Sequence, residues 1–463
     1  MKKYIITLIV AGLSLQSCLV TKNYERPELH QENQYRTDEL STDSLSIADI
    51  SWKDYFQDEK LINIIDTALQ QNIDIRIALE QLSAAESYYR EGKNAQIPSI
   101  SAAARVNHQE LSKNSQFGAF FDGSITQYEL TAALSWEADI WGKINSRQKA
   151  MKAQYLGAVE AHKAVKTRLI VNVATVYYQL LAIDKQLEIA EKTLSNRERG
   201  IETTKALKQA GMSNELAVQR AITQKIATEE IVLNLKNNSL LLENTLSILL
   251  AKSPQEIDRN SFDNIEVSED KIEKGYPMQL LSNRADVRAA EFNLINAFEL
   301  KQQARASLYP SLILDINGGL QSLEFNNLFN ASSIFANFIG SLTQPILNRR
   351  QLKTQVELAE STREIAFLNF KYAVMNASKE VSDSYSNLSL AKEKLKLKKE
   401  ELVAYDKAAE VAVEMQKNGI GTYLDVLTAE QGKLNAELEL VNLKSQALVD
   451  NAQLYRALGG GWK

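Results

Sequence analysis

The stretch Gln127-Tyr128-Glu129-Leu130-Thr131-Ala132-Ala133-Leu134-Ser135-Trp136-Glu137-Ala138-Asp139-Ile140 alternates almost without a break. Tyr128, Leu130, Ala132, Leu134, Trp136, Ala138 and Ile140 fall on one side; Gln127, Glu129, Thr131, Ala133, Ser135, Glu137 and Asp139 fall on the other. A period of two over this length predicts a strand with one apolar and one polar face. Ile100 to His108 alternates too, with Ser99, Ser101, Arg105 and Asn107 on its polar side. Further on, Leu312, Leu314, Ile316 and Leu320 oppose Ser311, Asp315, Asn317 and Gln321, and a weaker strand is expected from Phe335 to Pro345. An ordinary half-buried sheet would alternate in the same way. Two details favour a membrane: the strands are long enough to cross a bilayer at a tilt, with Tyr and Trp near their ends, and the polar face is charged. Four strands cannot close a membrane barrel, and an open edge in lipid leaves backbone groups unpaired. The barrel must then be shared between copies; strand physics leaves two, three or four copies open, and three would give twelve strands around a watery lumen.

Outside these strands the period is that of a helix. Lys143 to about Leu207 and Arg349 to Asn418 contain no proline and little glycine. In the second of them Leu352, Val356, Ala359, Leu368, Val374, Val381, Tyr385, Leu388 and Leu395 form an apolar stripe at spacings of three, four and seven. A helix of about 65 residues is roughly 100 Å long. Two shorter helical stretches, Asn214 to Leu250 and Thr422 to Leu458, follow glycine breaks, so each long helix is expected to turn back as an antiparallel coiled-coil hairpin.

The pattern is written twice. At an offset of 212, Asp74, Arg76, Ala78, Leu82, Pro98 and Ser99 return as Asp286, Arg288, Ala290, Leu294, Pro310 and Ser311. At an offset of 208, Leu134, Ile144, Gly211, Leu216, Val218, Ala221 and Leu250 return as Leu342, Leu352, Gly419, Leu424, Val426, Ala429 and Leu458. Such self-similarity implies duplication. The expected organisation is a signal peptide (1–17), a lipid-anchored N-terminal segment (18–60), a first repeat (61–260), a linker (261–282), a second repeat (283–458) and a tail (459–463).

The N-terminus carries Lys2 and Lys3, then an apolar run from Tyr4 to Leu15, too short for a membrane-spanning helix but right for a signal-peptide core. It ends in Leu15-Gln16-Ser17-Cys18, which resembles a bacterial lipobox, and Cys18 is the only cysteine in the chain. The expectation is an exported protein acylated at Cys18, with no internal disulfide. Against 58 acidic residues stand 53 basic ones, and no basic stripe stands out, which argues against nucleic acid as a partner. His30, His108 and His162 are far apart, with no neighbour at metal-ligand spacing. There is no phosphate-binding loop, dinucleotide fingerprint or nucleophile elbow. Neither an enzyme nor a cofactor is expected.

Several segments in order resemble one family. Asn23-Tyr24-Glu25-Arg26-Pro27 is similar to an Asp-Tyr-x-x-Pro start, and Trp52-Lys53-Asp54-Tyr55-Phe56, Asp58-Glu59-Lys60-Leu61, Ala68-Leu69 and Asn72 follow. Ser135 to Lys143 resembles Ser-Trp-Glu-x-Asp-x-Phe-Gly-Lys; Thr343-Gln344-Pro345-Ile346 is similar to the matching segment of the second repeat; Leu454-Tyr455-Arg456-Ala457-Leu458-Gly459-Gly460-Gly461-Trp462 looks like the closing signature. These resemble the TolC-like outer-membrane efflux proteins, in the lipoprotein branch typified by OprM and NodT. The resemblance implies a mainly α protein with a membrane β-barrel. Helical hairpins form an α-barrel in the periplasm, and four strands per chain join a twelve-stranded barrel shared by a homotrimer in the outer membrane. It also implies partners: a periplasmic adaptor and an inner-membrane pump of the resistance-nodulation-division type. The function so implied is a duct that passes small molecules passively.

By the same resemblance the hairpin tips, Gly211, Met212 and Ser213 in one repeat and Gly419, Ile420 and Gly421 in the other, would dock the adaptor. In local terms Gly211 and Gly419 end helices while Ser213 and Thr422 cap the next ones. Tyr423, Asp425 and Thr428 are expected at a periplasmic gate. Asp425 equally suits a capping box with Thr422. The chain departs from the family at Ala217, where the first repeat often has an aspartate, and at Thr428, where a second aspartate can follow Asp425. Two rival readings remain: a duct for type I protein secretion, and a non-conducting periplasmic coiled-coil scaffold.

Overall fold

The structure, a computed structural model, describes residues 21–28, 50–114, 116, 118, 123–266 and 282–462. The signal peptide, Cys18 and most of the linker lie outside the described residues.

The elements run α1 (Trp52–Tyr55), α2 (Glu59–Gln71), α3 (Ile73–Asn94), β1 (Ser99–Glu110), β2 (Ser124–Ala138), α4 (Lys143–Gln209), α5 (Glu215–Leu249), α6 (Ala285–Ala306), β3 (Ser311–Ser322), β4 (Ile334–Thr343), α7 (Gln351–Lys417) and α8 (Tyr423–Ala457). The duplication appears in their lengths. Helices α3 and α6 have 22 residues each, α4 and α7 have 67, and α5 and α8 have 35. Strands β1 and β3 have 12 residues each. The offset changes from 212 to 208 across the β1–β2 and β3–β4 hairpins, where loop length is free to vary.

The described residues form two compact units, each drawing on both halves of the sequence: those within 1–28, 82–158 and 290–370 in one, and those within 29–81, 159–289 and 371–463 in the other.

The first unit holds an antiparallel sheet in the order β1-β2-β3-β4. Its register stacks the alternation seen in the sequence into rows. Ile100 pairs with Leu134, Leu134 with Ile316 and Ile316 with Phe338; Ala104, Leu130, Leu320 and Ile334 form a second apolar row. One residue over, Ser99, Ser135 and Asp315 form a polar row, in which the Ser135 hydroxyl donates to Asp315 Oδ1 at 2.6 Å. A half-buried soluble sheet would cover the apolar rows. Here Ile100, Leu130, Ile334, Phe338 and Leu342 are exposed, with Phe338 at 76%. Among the described residues, strands β1 and β4 each leave one edge unpaired.

Several boundaries differ from expectation. Strand β2 begins at Ser124 and stops at Ala138, because Asp139 leaves the ladder to cap α4: its Oδ1 accepts from Ile144 N–H at 2.9 Å and its Oδ2 from Asn145 N–H at 2.8 Å. Strand β4 ends at Thr343, before Pro345. Helix α7 begins at Gln351 rather than Arg349, because Arg349 and Arg350 adopt φ of +54° and +64°, outside the helical region.

The core of the second unit gathers Leu61 and Ile65 of α2, Ile170, Tyr177, Leu180 and Leu181 of α4, Leu246 of α5 and Tyr455 of α8, all fully buried. Each such leucine or isoleucine side chain contributes about 1.5–3 kcal/mol of transfer free energy. The closing segment acts as a clamp. Tyr455 stacks on Tyr55 at 4.0 Å, and its hydroxyl donates to the Ile50 carbonyl at 2.8 Å. Gly460 is needed because a Cβ there would lie 2.3 Å from the Tyr455 ring. The Lys163 ammonium sits 4.6 Å above the Trp462 ring, a cation–π contact.

Candidate functional site: the hairpin tips and a buried arginine behind them

The tips of the α4–α5 and α7–α8 hairpins share one backbone solution. Gly211 (φ +74°) and Gly419 (φ +69°) are left-handed. Met212 N–H donates to Leu207 O at 2.8 Å and Gly211 N–H to Lys208 O at 3.0 Å; in the second tip Ile420 N–H donates to Met415 O at 3.0 Å and Gly419 N–H to Gln416 O at 3.1 Å. Both are Schellman motifs, which satisfy the last helical carbonyls. A Cβ on Gly211 would meet nothing within 4 Å, so only the backbone conformation requires glycine there. Gly211→Ala is therefore expected to cost about 1–2 kcal/mol, read as a lower unfolding midpoint with no change in packing.

The next helices begin differently from each other. Asn214, not Ser213, caps α5: its Oδ1 accepts from Ala217 N–H at 3.0 Å. Both residue types suit the position, and the chain enters the helix one residue later than the hydroxyl would allow. In α8, Asp425 Oδ2 accepts from Thr422 N–H at 2.8 Å and from the Thr422 hydroxyl at 2.7 Å. The Thr422 hydroxyl holds the Asp425 carboxyl below the usual carboxylate range, with help from backbone N–H groups. The capping role of Asp425 is thus realised. Thr428 donates back to the Leu424 carbonyl at 2.8 Å. Gly421 is a close approach, since a Cβ there would sit 2.9 Å from Met415 Cβ. Met212 and Ile420 are exposed, as are Leu216 and Leu424.

Behind the tips lies a polar cluster that sequence reasoning missed. Arg197 of α4 is 3% exposed. It donates through Nη1 to Gln224 O and Oε1 of α5 and through Nη2 to Gln431 Oε1 of α8 at 2.6 Å, tying three helices together. Burial lowers the Arg197 pKa, and burial raises that of Glu430, each partly offset by the charge of the other. Tyr423 is half-buried beside it, bonded to Thr204, with burial raising its pKa. One signal could have revealed the site. At the 208 offset Arg197 aligns with Tyr405 and Gln224 with Gly432, and a Cβ on Gly432 would lie 2.2 Å from the Tyr405 ring. Each repeat fills the same crossing with its own matched pair, polar in one and apolar in the other. Among the described residues no group of three or more His, Cys, Asp or Glu could hold a metal ion, and no helix is long and apolar enough to cross a membrane.

Comparison with known proteins fits this architecture. A family model described as outer membrane efflux protein matches residues 64–252 and 276–460. The solvent efflux pump outer membrane protein SrpC of Pseudomonas putida is 28% identical over 468 residues, covering 98% of this chain and 97% of its own length. The probable outer membrane lipoprotein SilC of Salmonella typhimurium is 26% identical over 455 residues, covering 97% and 96%. A crystal structure of CusC, in Escherichia coli a cation efflux system protein, matches with a TM-score of 0.85 at 26% identity, covering 96% of this chain and all of that one. With its duplicated hairpins and uncovered four-stranded sheet, the chain belongs to the outer membrane efflux protein family and is an outer-membrane protein of that kind.

Proposed function

We propose that three copies of this chain assemble into a homotrimeric exit duct, lipid-anchored at Cys18, whose shared twelve-stranded barrel sits in the outer membrane and whose helical hairpins form an α-barrel in the periplasm. The observation that carries this reading is the sheet: its apolar rows are uncovered and both its edges are open. In lipid each open edge would leave backbone groups unpaired at several kcal/mol each, so β1 of one copy must meet β4 of the next. The helices support the same assembly. Ile226, Leu233 and Leu240 on α5, and Leu358, Ile365 and Tyr372 on α7, repeat every seven residues and are exposed within one chain. Such a seam suits a neighbouring helix.

In this reading the exposed Met212 and Ile420, with Gly211, Ser213, Gly419 and Gly421, receive a periplasmic adaptor, which links the duct to a proton-driven pump of the resistance-nodulation-division type. The pump selects the cargo, and the duct conducts it without chemistry or a cofactor. Relatives named for solvents and for cations both match this chain over nearly its whole length, which supports selection upstream. Mild cross-linking in intact cells followed by mass spectrometry is expected to recover such an adaptor and pump. Recovery of an ATP-driven exporter instead would move the same duct to protein secretion, and a trimer without conductance in planar bilayers would leave only a scaffold.

Tyr423, Asp425 and Thr428 form part of the periplasmic gate in this reading, with three Asp425 carboxylates around the axis. Asp425→Ala is expected to make cells several-fold more sensitive to large antibiotics that the closed duct excludes. Unchanged sensitivity at normal trimer levels would reduce Asp425 to its capping role.

A further inference from the structure

The two strand-to-helix junctions occupy equivalent places in the repeats and are built from opposite chemistry. In the first, Asp139 caps α4, the Trp141 indole N–H donates to the Pro310 carbonyl at 2.7 Å and stacks on Tyr309, and Gly142 takes the left-handed position at φ +76°. At the 208 offset the second junction places Leu347 where Asp139 stands, Arg349 where Trp141 stands and Arg350 where Gly142 stands. Leu347 is 96% exposed and Ile346 90%. Arg350 keeps the left-handed backbone, which glycine adopts freely and arginine rarely does, and Arg349 adopts it as well. Among the described residues the second junction has no counterpart of that aspartate cap, aromatic stack or glycine. Strain of this kind persists where a side chain has work to do.

We infer that Ile346, Leu347, Arg349 and Arg350 form a phospholipid-binding edge, in which the two apolar side chains enter the acyl region and the two guanidiniums take the lipid phosphate. The charge favours lipid over a second protein surface. Arg349 has no ion-pair partner among the described residues. Among the described residues Arg350 pairs only with Glu357, at 2.7 Å, both side chains being well exposed, so its guanidinium remains open to a phosphate. Guanidinium forks match phosphate oxygens geometrically. The segment directly follows β4, whose exposed Phe338 and Leu342 belong to the apolar face. An apolar pair with arginines beside it, at the helix end of a membrane strand, continues the lipid-facing surface into the headgroup layer. Trp136 and Trp141 lie at the corresponding end of β2 and supply interfacial aromatics.

The inference rests on the sheet lying in the membrane, and the experiment separates the two. The full-length trimer, its Cys18 acylated, is prepared as Leu347→Cys and as Phe338→Cys, each labelled with a fluorophore and reconstituted in phosphatidylethanolamine/phosphatidylglycerol vesicles with brominated acyl chains. Quenching is expected at both positions. Quenching at Phe338→Cys alone, with trimers intact, overturns the lipid edge and means that a neighbouring copy covers Leu347. Quenching at neither position overturns the membrane placement itself. Native mass spectra of Arg349→Gln/Arg350→Gln should also retain less phosphatidylglycerol than the unsubstituted trimer, by roughly fivefold per arginine. Equal retention would overturn the phosphate contact.

Discussion

Gly319→Val is expected to abolish assembly of the barrel. Gly319 lies in the second half of β3, facing Thr131 of β2 and Phe335 of β4. A Cβ there would sit 2.0 Å from the Leu130 carbonyl oxygen and 2.9 Å from Thr131 Cα. Overpacking against mobile side chains ordinarily costs about 1–3 kcal/mol, because they can turn aside. Here the obstacle is the backbone of the adjacent strand, so β2 must shift and ladder hydrogen bonds must break. In a bilayer each freed group costs several kcal/mol, and a few of them remove most of the roughly 5–15 kcal/mol by which a domain is stable. Gly340→Ala in β4 is the control: its Cβ would meet Leu314 Cδ2 at 3.4 Å, an ordinary contact. The measurement is the amount of heat-modifiable trimer in outer-membrane fractions, with cell sensitivity to exported compounds beside it. Gly319→Val should lose both and Gly340→Ala neither. Wild-type trimer levels for Gly319→Val would mean that the two strands do not approach this closely.

What was legible in the sequence follows a physical pattern. Gln127 to Ile140 reads as a strand, and α4 and α7 as helices, because burial on one face imposes a period that residues display directly. The duplication was legible for the same reason, and it related five pairs of elements at once. Single-residue decisions were less so. Ser213 and Asn214 are adjacent and both suit a cap, so composition could not choose between them; backbone entry did. Asp139 alternates in phase with β2, and its side chain reveals itself as a cap only when Ile144 and Asn145 turn back to it. Arg349 and Arg350 look like a helix start, because nothing in their type announces a left-handed backbone. Only alignment with Gly142 makes that visible. Arg197 is the hardest case. On a charged helix it resembles any solvated arginine, and its burial is decided by Gln224 and Gln431, far along the chain. The tips themselves were located by Gly211 and Gly419, whereas the cluster that braces them from behind was not.

Asp58→Ala is expected to unravel the anchorage of the N-terminal segment and cost about 3–5 kcal/mol. One carboxylate serves four donors there. Oδ1 accepts from Lys60 N–H at 2.9 Å, Leu61 N–H at 3.3 Å and Asn260 Nδ2 at 2.7 Å, while Oδ2 accepts from the Tyr177 hydroxyl at 2.7 Å. The first two bonds cap α2, a role usually worth about 1 kcal/mol. Hydrogen bonds to a charged group contribute about 1.5–3 kcal/mol each, and they are coupled, so the total falls short of their sum. Tyr177 is fully buried, and its hydroxyl also accepts from Asn260 N–H at 3.2 Å, so alanine leaves polar atoms of α4 and of the segment after α5 without their partner. Tyr177→Phe separates the contributions. It removes one donor and keeps the cap, and should cost about 1–2 kcal/mol. Denaturant unfolding of the purified trimer, followed by loss of its slow-migrating band, reads both. Equal destabilisation by the two substitutions would mean that the Tyr177 bond alone carries the site. A several-fold larger effect of Asp58→Ala on the unfolding midpoint would establish the carboxylate as the knot joining α2, α4 and the chain that follows α5.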